Sequence, residues 1–507
     1  MEEIFIRKVE GIFVITIDFG LWRVLSLSEN SRLSLTSRTL LGFHSTPPIT
    51  IYTPNQIPSS SSIAHAMTEA EVDRISFLPL DTKLEILSRL RIKHAVRTSA
   101  LARSWRHIWT HLPCLDLISE QDPLGDHQDF SIWIQRVHRL VSSLWGPISV
   151  FQLNFYERCS FEDDHCLLLQ GLLDLLLQKG GLDTLNLFFN KDPGKIHLPW
   201  FHSLRVLILY ACHIALPTGF RGFHRLKTLD LDDVEISNDH LNLLLRTSSN
   251  LINLRISYCR TSGNPFSVNL SLPLLRHLQF GINDFVENLL VVSSPCLEHA
   301  VISLGYADYT SQKLSQMMLP LVTSVTMVSS LKFDFDVLKC FSLVALPFNF
   351  TIPQLKFLRF HLNVNTIDRR VYDAFLWLLR SVPFLEELEV RFERVDDYDH
   401  ADRIVILMKE LLVKKHDGFA CLERTVTSVT ISMIKLDVIP SIAWLQFFLL
   451  NAKGLKLLKI GYFHGDDLMP SFIEELQKVE ATSSDAKVMF FNHCTHQITN
   501  LCMNDSN

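Results

Sequence analysis

LKTLDLDDVEISNDHLNLLLRTSSNLINLRIS, residues 226–257, decides the fold. Leu226, Leu229 and Leu231 are spaced L-x-x-L-x-L, and the alternation around Leu229 and Leu231 is that of a strand with one buried face. The segment NDHLNLLLRTSSN, 238–250, reads as helical, and Leu251, Leu254 and Ile256 then restart the first pattern. One strand plus a short return segment cannot bury its own apolar face, so such units are stable only when stacked.

The pattern recurs on both sides of this stretch. It occurs as Leu182-Leu185-Leu187, Leu204-Leu207-Leu209 and Leu275-Leu278-Phe280, then degrades into Leu297-Ala300-Ile302 and Val322-Val325-Met327. Starts at 182, 204, 226, 251, 275, 297 and 322 give intervals of 22, 22, 25, 24, 22 and 25 residues, the period of a leucine-rich repeat. Wider-spaced units follow at Leu355-Leu358-Phe360, Leu385-Leu388-Val390, Val426-Val429-Ile431 and Leu455-Leu458-Ile460, separated by helical segments at 371–383 and 441–454. The expected fold is α/β: a leucine-rich-repeat solenoid with parallel strands. Within L-x-x-L-x-L-x the apolar residues point inward and those between them face outward. Tyr210, Asp230, Asp232, Arg255, Gln279, Arg359, His361, Glu389 and Arg391 thereby become candidate target-binding residues on one sheet face. Arginine and tyrosine are favoured interface anchors.

Towards the N-terminus lies DRISFLPLDTKLEILSRLRIKHAVRTSALARSWRHIWTHLPCLDL, residues 73–117, three short helical patterns in fewer than fifty residues. Leu80, Leu84 and Leu87 form one stripe, widened by Ile86 and Leu90. Thr82 and Glu85 have capping-box spacing, and Pro79 suits a first helical turn. Ala95, Val96, Ser99 and Ala100 suit a short, closely packed helix, and Leu101, Trp105, Ile108 and Leu112 predict a further helix ended by Pro113. So small a bundle buries little core of its own, which suits a docking unit.

This stretch resembles the F-box family in its plant F-box/leucine-rich-repeat/FBD branch. The matching marks are Asp73-Arg74-Ile75-Ser76, Leu78-Pro79, Ile86-Leu87-Ser88, residues 95–99, Trp105-Arg106, Trp109 and Pro113-x-Leu115. The resemblance implies a three-helix F-box that docks a Skp-type adaptor and, through it, a cullin. Leu78, Pro79, Ile86, Leu87 and Val96 would face the adaptor, braced by Trp105 and Trp109. Thr82-Lys83, Arg91 and His94 depart from the family pattern. Residues 422–507 resemble the FBD module of the same proteins and would cap the solenoid. The implied function is a substrate-recognition subunit of a Skp–cullin–F-box ubiquitin ligase whose repeats capture an unknown protein target. The alternative is a leucine-rich-repeat scaffold or sensor that no longer docks the ligase.

Charge and motifs narrow the remaining classes. Residues 83–107 carry seven Lys/Arg and one acid, +6, against −6 for the whole chain, so the rest sums to −12. The basic stripe fits an acidic adaptor; no aromatic and basic stripe continues it elsewhere, so no nucleic-acid partner is expected. Ten cysteines without a CxxC pair read as reduced thiols, and His493-Cys494-x-His496 lacks further ligands at metal spacing. The acidic run at 396–402 has no Gly-turn spacing for calcium. Residues 11–22 are too few to span a bilayer, and Glu2-Glu3 does not suit a signal peptide. No P-loop, G-x-S-x-G, H-E-x-x-H or G-x-G-x-x-G motif occurs. The expectation is therefore a non-catalytic protein with no catalytic residues, no cofactor, no metal and no membrane partner, placed in the cytoplasm, the nucleus or both.

The expected domains are 1–66, a disordered or poorly ordered extension, then 67–117, the F-box, 118–370, the repeat array, and 371–507, irregular repeats with the FBD module. Residues 45–62 hold four prolines and a run of four serines, a linker-like composition. Residues 1–66 are either a true extension with a weak strand pair or an upstream stretch joined to a protein that begins at Met67; the second reading is preferred. Deleting 1–66 should leave the thermal midpoint and adaptor binding unchanged, and a large fall in the midpoint would show that the segment packs.

Overall fold

The computed structural model describes residues 4–9, 12–17, 23–27, 75–118, 130–155, 163–260, 266–282, 286–304, 321–323, 325–345, 347, 349–362, 368–392, 418–434, 439–462, 476, 483, 485–492 and 498–502. Two compact units divide the chain, Met1–Asp73 and Arg74–Asn507. In the first, Ile4–Val9 (β1), Ile12–Ile17 (β2) and Arg23–Leu27 (β3) form an antiparallel meander, one strand more than the pair considered from the sequence. The stretches at 396–402 and 493–496, neither of them expected to bind a metal, lie outside the described residues.

In the second unit one sheet runs through fifteen strands among the described residues. Its first strands are Cys114–Ile118 (β4), Val150–Phe155 (β5), Thr184–Phe189 (β6), Val206–Tyr210 (β8), Thr228–Asp232 (β10), Asn253–Ser257 (β12) and His277–Ile282 (β14). It continues through His299–Leu304 (β16), Ser330–Asp334 (β17), Phe357–Leu362 (β18), Glu387–Phe392 (β19), Ser428–Ile434 (β20), Leu457–Tyr462 (β21) and Lys487–Asn492 (β22). All these neighbours are parallel; the last strand, Ile498–Cys502 (β23), pairs antiparallel with β22.

The register explains why the repeat spacing forces this sheet. Leu185, Leu207, Leu229, Leu254 and Leu278 pair side by side on consecutive strands, as do Leu187, Leu209, Leu231, Ile256 and Phe280. All ten are buried. Burying each such side chain stabilises by roughly 1.5–3 kcal/mol, and slipping a strand by one residue would turn both ladders into solvent. The last ladder positions are Val429, Leu458 and Val488, equally buried, so the same rule reaches the C-terminal strands.

Three details correct the sequence reading. Leu112-Leu115-Leu117 and Ile148-Phe151-Leu153 obey the same spacing and form β4 and β5, so the array starts earlier than its first recognised unit. Val322-Val325-Met327 is not a strand: 321–323 are helical, 325–327 turn, and β17 follows, with Val328, Leu331 and Phe333 as the true apolar triplet. Phe333 and Phe335 pack edge to face and close this part of the core, whereas Met327 is exposed. Return helices form at Asn238–Thr247, Arg369–Ser381 and Ile439–Asn451, near their expected places. Edge-to-face contacts of Phe375 with Trp444 and Phe447, at 4.6 and 5.4 Å between ring centroids, join the last two helices and fill the wider repeats.

At the end of three successive strands the chain turns through a left-handed residue, Ala211, Asp233 or Tyr258. The N–H groups of Ala211 and Asp233 reach across to the carbonyls of Asp232 and Ser257. The turns feed the rim of the solenoid, where Lys195–His197 (β7), His213–Ala215 (β9) and Glu235–Ile236 (β11) form a second parallel sheet, and Phe266–Ser271 (β13) and Val286–Ser293 (β15) pair in parallel in another. Cys212 and Cys259 extend the consensus to L-x-x-L-x-L-x-x-C and are buried. Burial raises both thiols, Cys259 to about 12, which fits structural rather than reactive cysteines.

Among the described residues no helix is long and apolar enough to cross a membrane. The tightness of the stack is testable at glycine. Gly222 has φ +101°, and a Cβ there would lie 2.3 Å from Thr247 Cβ and 2.9 Å from the Thr247 carbonyl. Gly219 has φ +80° but open space around it. Gly219→Ala should cost about 1 kcal/mol in backbone strain. Gly222→Ala should cost roughly 2–4 kcal/mol, because overpacking adds about 1–3 kcal/mol; denaturant titration distinguishes the two.

Candidate functional site: the helical end and the open sheet face

The helical end differs from its sequence reading in where helices start and stop. Helix α1, Leu80–Ser88, begins directly after Pro79 with no side-chain cap, so Thr82 already sits within the first turn. Glu85 does not reach back to form a capping box; Arg89 binds its carboxylate at 2.7 Å. Helix α2, Ile92–Arg97, is followed by three 3-10 turns, Thr98–Ala100, Arg103–Trp105 and Ile108–His111, in place of one continuous helix. Ala102 is fully extended, at φ −160° and ψ 162°, and breaks the run. The turns still bury Trp105, Ile108 and Leu112 but leave Leu101 exposed.

Burial sorts the residues that the family resemblance assigned to docking. Ile86 and Leu87 are 5% and 0% exposed, and Trp105 is 2%. They form the inside of the unit and support its surface from beneath. Leu78 and Val96 are half-buried, Pro79 is exposed, and Trp109 packs partly against the core of the array. The large apolar groups presented to solvent are instead Phe77, 78% exposed, Leu80, 50%, and Leu101, 42%. Phe77 carried no periodic signal because it sits in a turn, and Leu101, expected to open a further helix, sits in a turn as well.

Lys83, a departure from the family pattern, is buried rather than part of the basic face. Its Nζ donates to the Ser76 carbonyl at 2.7 Å and sits 5.5 Å from the Trp105 ring centroid. The exposed cations here include Arg89, paired with Glu85, and Arg91, Arg97, Arg103 and Arg106.

No linker separates this unit from the array. The chain passes from the last 3-10 turn through Pro113 into β4, the end strand of the large sheet. Trp145 donates its N–H to the Thr110 carbonyl at 2.8 Å and stacks its ring on His107. Ser149 and Val150 both donate to the Pro113 carbonyl.

On the open face of the sheet every predicted target-binding residue takes its outward position, but most of the charges are already paired. Arg255 bridges Asp230 at 3.3 Å and Asp232 at 2.5 Å. Arg359 binds Asp334 at 2.6 Å, and Arg391 binds Glu389 at 2.6 Å. Burial raises the pKa of Asp230 and of Asp232, with Arg255 opposing it, and burial lowers that of His361. Arg255 Nε, Arg359 Nε and His361 Nε2 are buried without a hydrogen-bond partner. Tyr210 stacks on Phe188 at 4.2 Å.

A hollow of about 440 Å³ lies over strands β10, β12, β14, β16 and β17. It gathers Asp230, Arg255 and Gln279 with residues outside the sequence prediction, among them His277, His299 and Lys332. The two imidazoles stack with centroids 4.8 Å apart, and burial, then His277, lowers the pKa of His299. Both histidines immediately precede the second apolar residue of L-x-x-L-x-L, so their outward direction was legible; that they would meet was not. Arg359, His361, Glu389 and Arg391 lie on later strands beyond the hollow's lining.

Comparison with known proteins agrees with both regions. Residues 75–117 match the F-box domain model, and residues 169–390 match the model described as FBD-associated F-box protein At5g56370, LRR repeats. The chain thus resembles the F-box/leucine-rich-repeat proteins in both regions. It is 28% identical over 213 residues to F-box/FBD/LRR-repeat protein At1g13570 of Arabidopsis thaliana, covering 41% of this chain and 48% of the relative. With FBD-associated F-box protein At1g60410 of the same plant it shares 25% over 241 residues, 47% of each chain. F-box protein At1g60400, also from Arabidopsis thaliana, is 42% identical over 65 residues, 13% of this chain and 16% of the relative. The chain thus spans about half the length of the first two relatives.

The pairing of Arg255 has a direct consequence. Arg255→Glu would place a third carboxylate between Asp230 and Asp232, of which Asp232 is almost enclosed. Stability should fall by on the order of 1–3 kcal/mol, the cost of stranding a buried polar group. Arg255→Glu combined with Asp232→Asn should recover part of the loss in a double-mutant cycle; strictly additive changes would show that the pair is not coupled.

Proposed function

We propose that this protein is the substrate-recognition subunit of a Skp–cullin–F-box type ubiquitin ligase. The supporting observation is the direct passage of the F-box into end strand β4, which joins a surface bearing Phe77 and Leu80 to the open sheet without a flexible segment. The F-box would bind a Skp-type adaptor and, through it, a cullin. Few buried apolar anchors carry most of such an interface, and exposed Arg91, Arg97, Arg103 and Arg106 would speed encounter with an acidic adaptor. The repeats would hold a protein target against the open face, with Tyr210, Gln279 and the polar groups of the hollow as contacts. The matched F-box and repeat families are of the adaptor kind and no catalytic family is indicated, so the protein would supply binding and position rather than chemistry. Residues 422–507 would be the FBD module capping the array, a reading supported by the antiparallel closure of β22 by β23. Such a ligase subunit would work in the cytoplasm, the nucleus or both.

Adaptor pull-down tests the reading. Phe77→Asp with Leu80→Asp should abolish recovery of the adaptor while circular dichroism and thermal midpoint stay unchanged. Ile86→Ala should act differently, lowering stability by about 2–5 kcal/mol as a core truncation. Full adaptor recovery by the Phe77/Leu80 variant would defeat the assignment.

A further inference from the structure

At the rim of the solenoid three side chains converge that play no part in either interaction surface. Asp192 follows β6, His213 opens β9 and Glu235 opens β11, so three successive repeats contribute one residue each. One potential ligand atom from each lies within 4.8 Å of the other two, and His213 Nδ1 is 4.0 Å from Glu235 Oε1. His213 and Glu235 are register partners on adjacent parallel strands, so backbone pairing fixes their separation. Asp192 Oδ1 accepts the Gly194 N–H at 2.9 Å and the His213 N–H at 3.1 Å, which anchors its carboxylate. All three residues are half-buried.

We propose that Asp192, His213 and Glu235 form a site for a divalent transition-metal ion, with Zn²⁺ the best fit, that clasps three consecutive repeats. Imidazole nitrogen and carboxylate oxygen are the ligand types that suit Zn²⁺ and its neighbours. Bonds of about 2.0–2.1 Å in tetrahedral geometry place ligand atoms roughly 3.3–3.5 Å apart. Small rotamer adjustments close the present spacing to that value, while the strands and the two amides hold the backbone. The flanking register positions carry Lys195 and Arg260, and Arg260 is engaged by Asp233 at 2.9 Å. Three protein ligands leave a fourth position for water. The site would couple the repeats of β6, β8 and β10, since its members follow those strands, and β10 is also the first strand under the hollow.

The test uses the full chain, freed of metal by dialysis against EDTA and titrated with Zn²⁺ by calorimetry, with Co²⁺ as a visible-absorption probe. The chain has 21 histidines and ten cysteines, so comparison with variants decides. Wild type should bind one equivalent more than Glu235→Gln, or the same equivalent at least tenfold more tightly, and Zn²⁺ should raise the thermal midpoint of wild type only. Glu235→Gln keeps the strand pairing, which is made by backbone, and Asp192→Asn keeps an oxygen to accept the two amides, so neither is expected to unfold the chain. His213→Ala should remove the Co²⁺ bands. Equal Zn²⁺ binding by wild type, Glu235→Gln and His213→Ala, or no stoichiometric binding by wild type, would overturn the site and leave His213 and Glu235 as an imidazole–carboxylate pair only.

Discussion

Everything in the second unit depends on two ladders of buried aliphatic and aromatic side chains that run from strand to strand. Leu229 lies between Leu207 and Leu254, and Leu231 between Leu209 and Ile256. No single repeat could bury these faces, so each strand is held in place by its neighbours. This makes the sheet cooperative along its length, and it fixes the alternation that sends every second residue to the open face. The polar residues there are positioned by the ladder beneath them and not by their own affinities.

That constraint has an electrostatic consequence. Because the strands align in parallel, an arginine on one strand reaches an aspartate on its neighbour, directly across as Arg255 meets Asp230 or diagonally as Arg359, whose register partner is Lys332, meets Asp334. The arginines on the open face are therefore largely committed before any partner arrives. Neutral and uncharged groups in the hollow, together with Lys332, remain more available for recognition. A partner that broke Arg255 away from half-buried Asp230 and buried Asp232 would have to replace both bonds, which favours a partner that lies over the network. The exposed Phe77 and Leu80 at the helical end involve no comparable competition.

The junction between the two regions matters as much as either one. Helices α1 and α2 contribute little core, yet Trp109 and Ile92 lean on the array and Trp145 reaches back to Thr110. A small bundle that would be marginal alone is thus stabilised by the solenoid it introduces. Lys83 belongs to the same economy of space: a charge at an aliphatic position is tolerated because a carbonyl and an indole ring receive it.

The repeat period, the parallel sheet, the inward leucines and the outward candidates were all determined by sequence, because a spacing of three and two residues admits one alternating strand per unit. Resemblance added the F-box. Sequence also contained, unread, the units at Leu112 and Ile148 and the true start at Val328, each with the same spacing as its neighbours. Only tertiary structure decided which residues of the F-box face outward. Ile86 and Phe77 are equally apolar in a sequence, and their fates differ because α1 turns one face to Trp105 and Ala102 breaks the later helix. The meeting of His277 with His299, and of Asp192, His213 and Glu235, likewise depends on register between repeats of unequal length. Sequence distance carries no information about that register, since loop lengths differ while the strands they connect align.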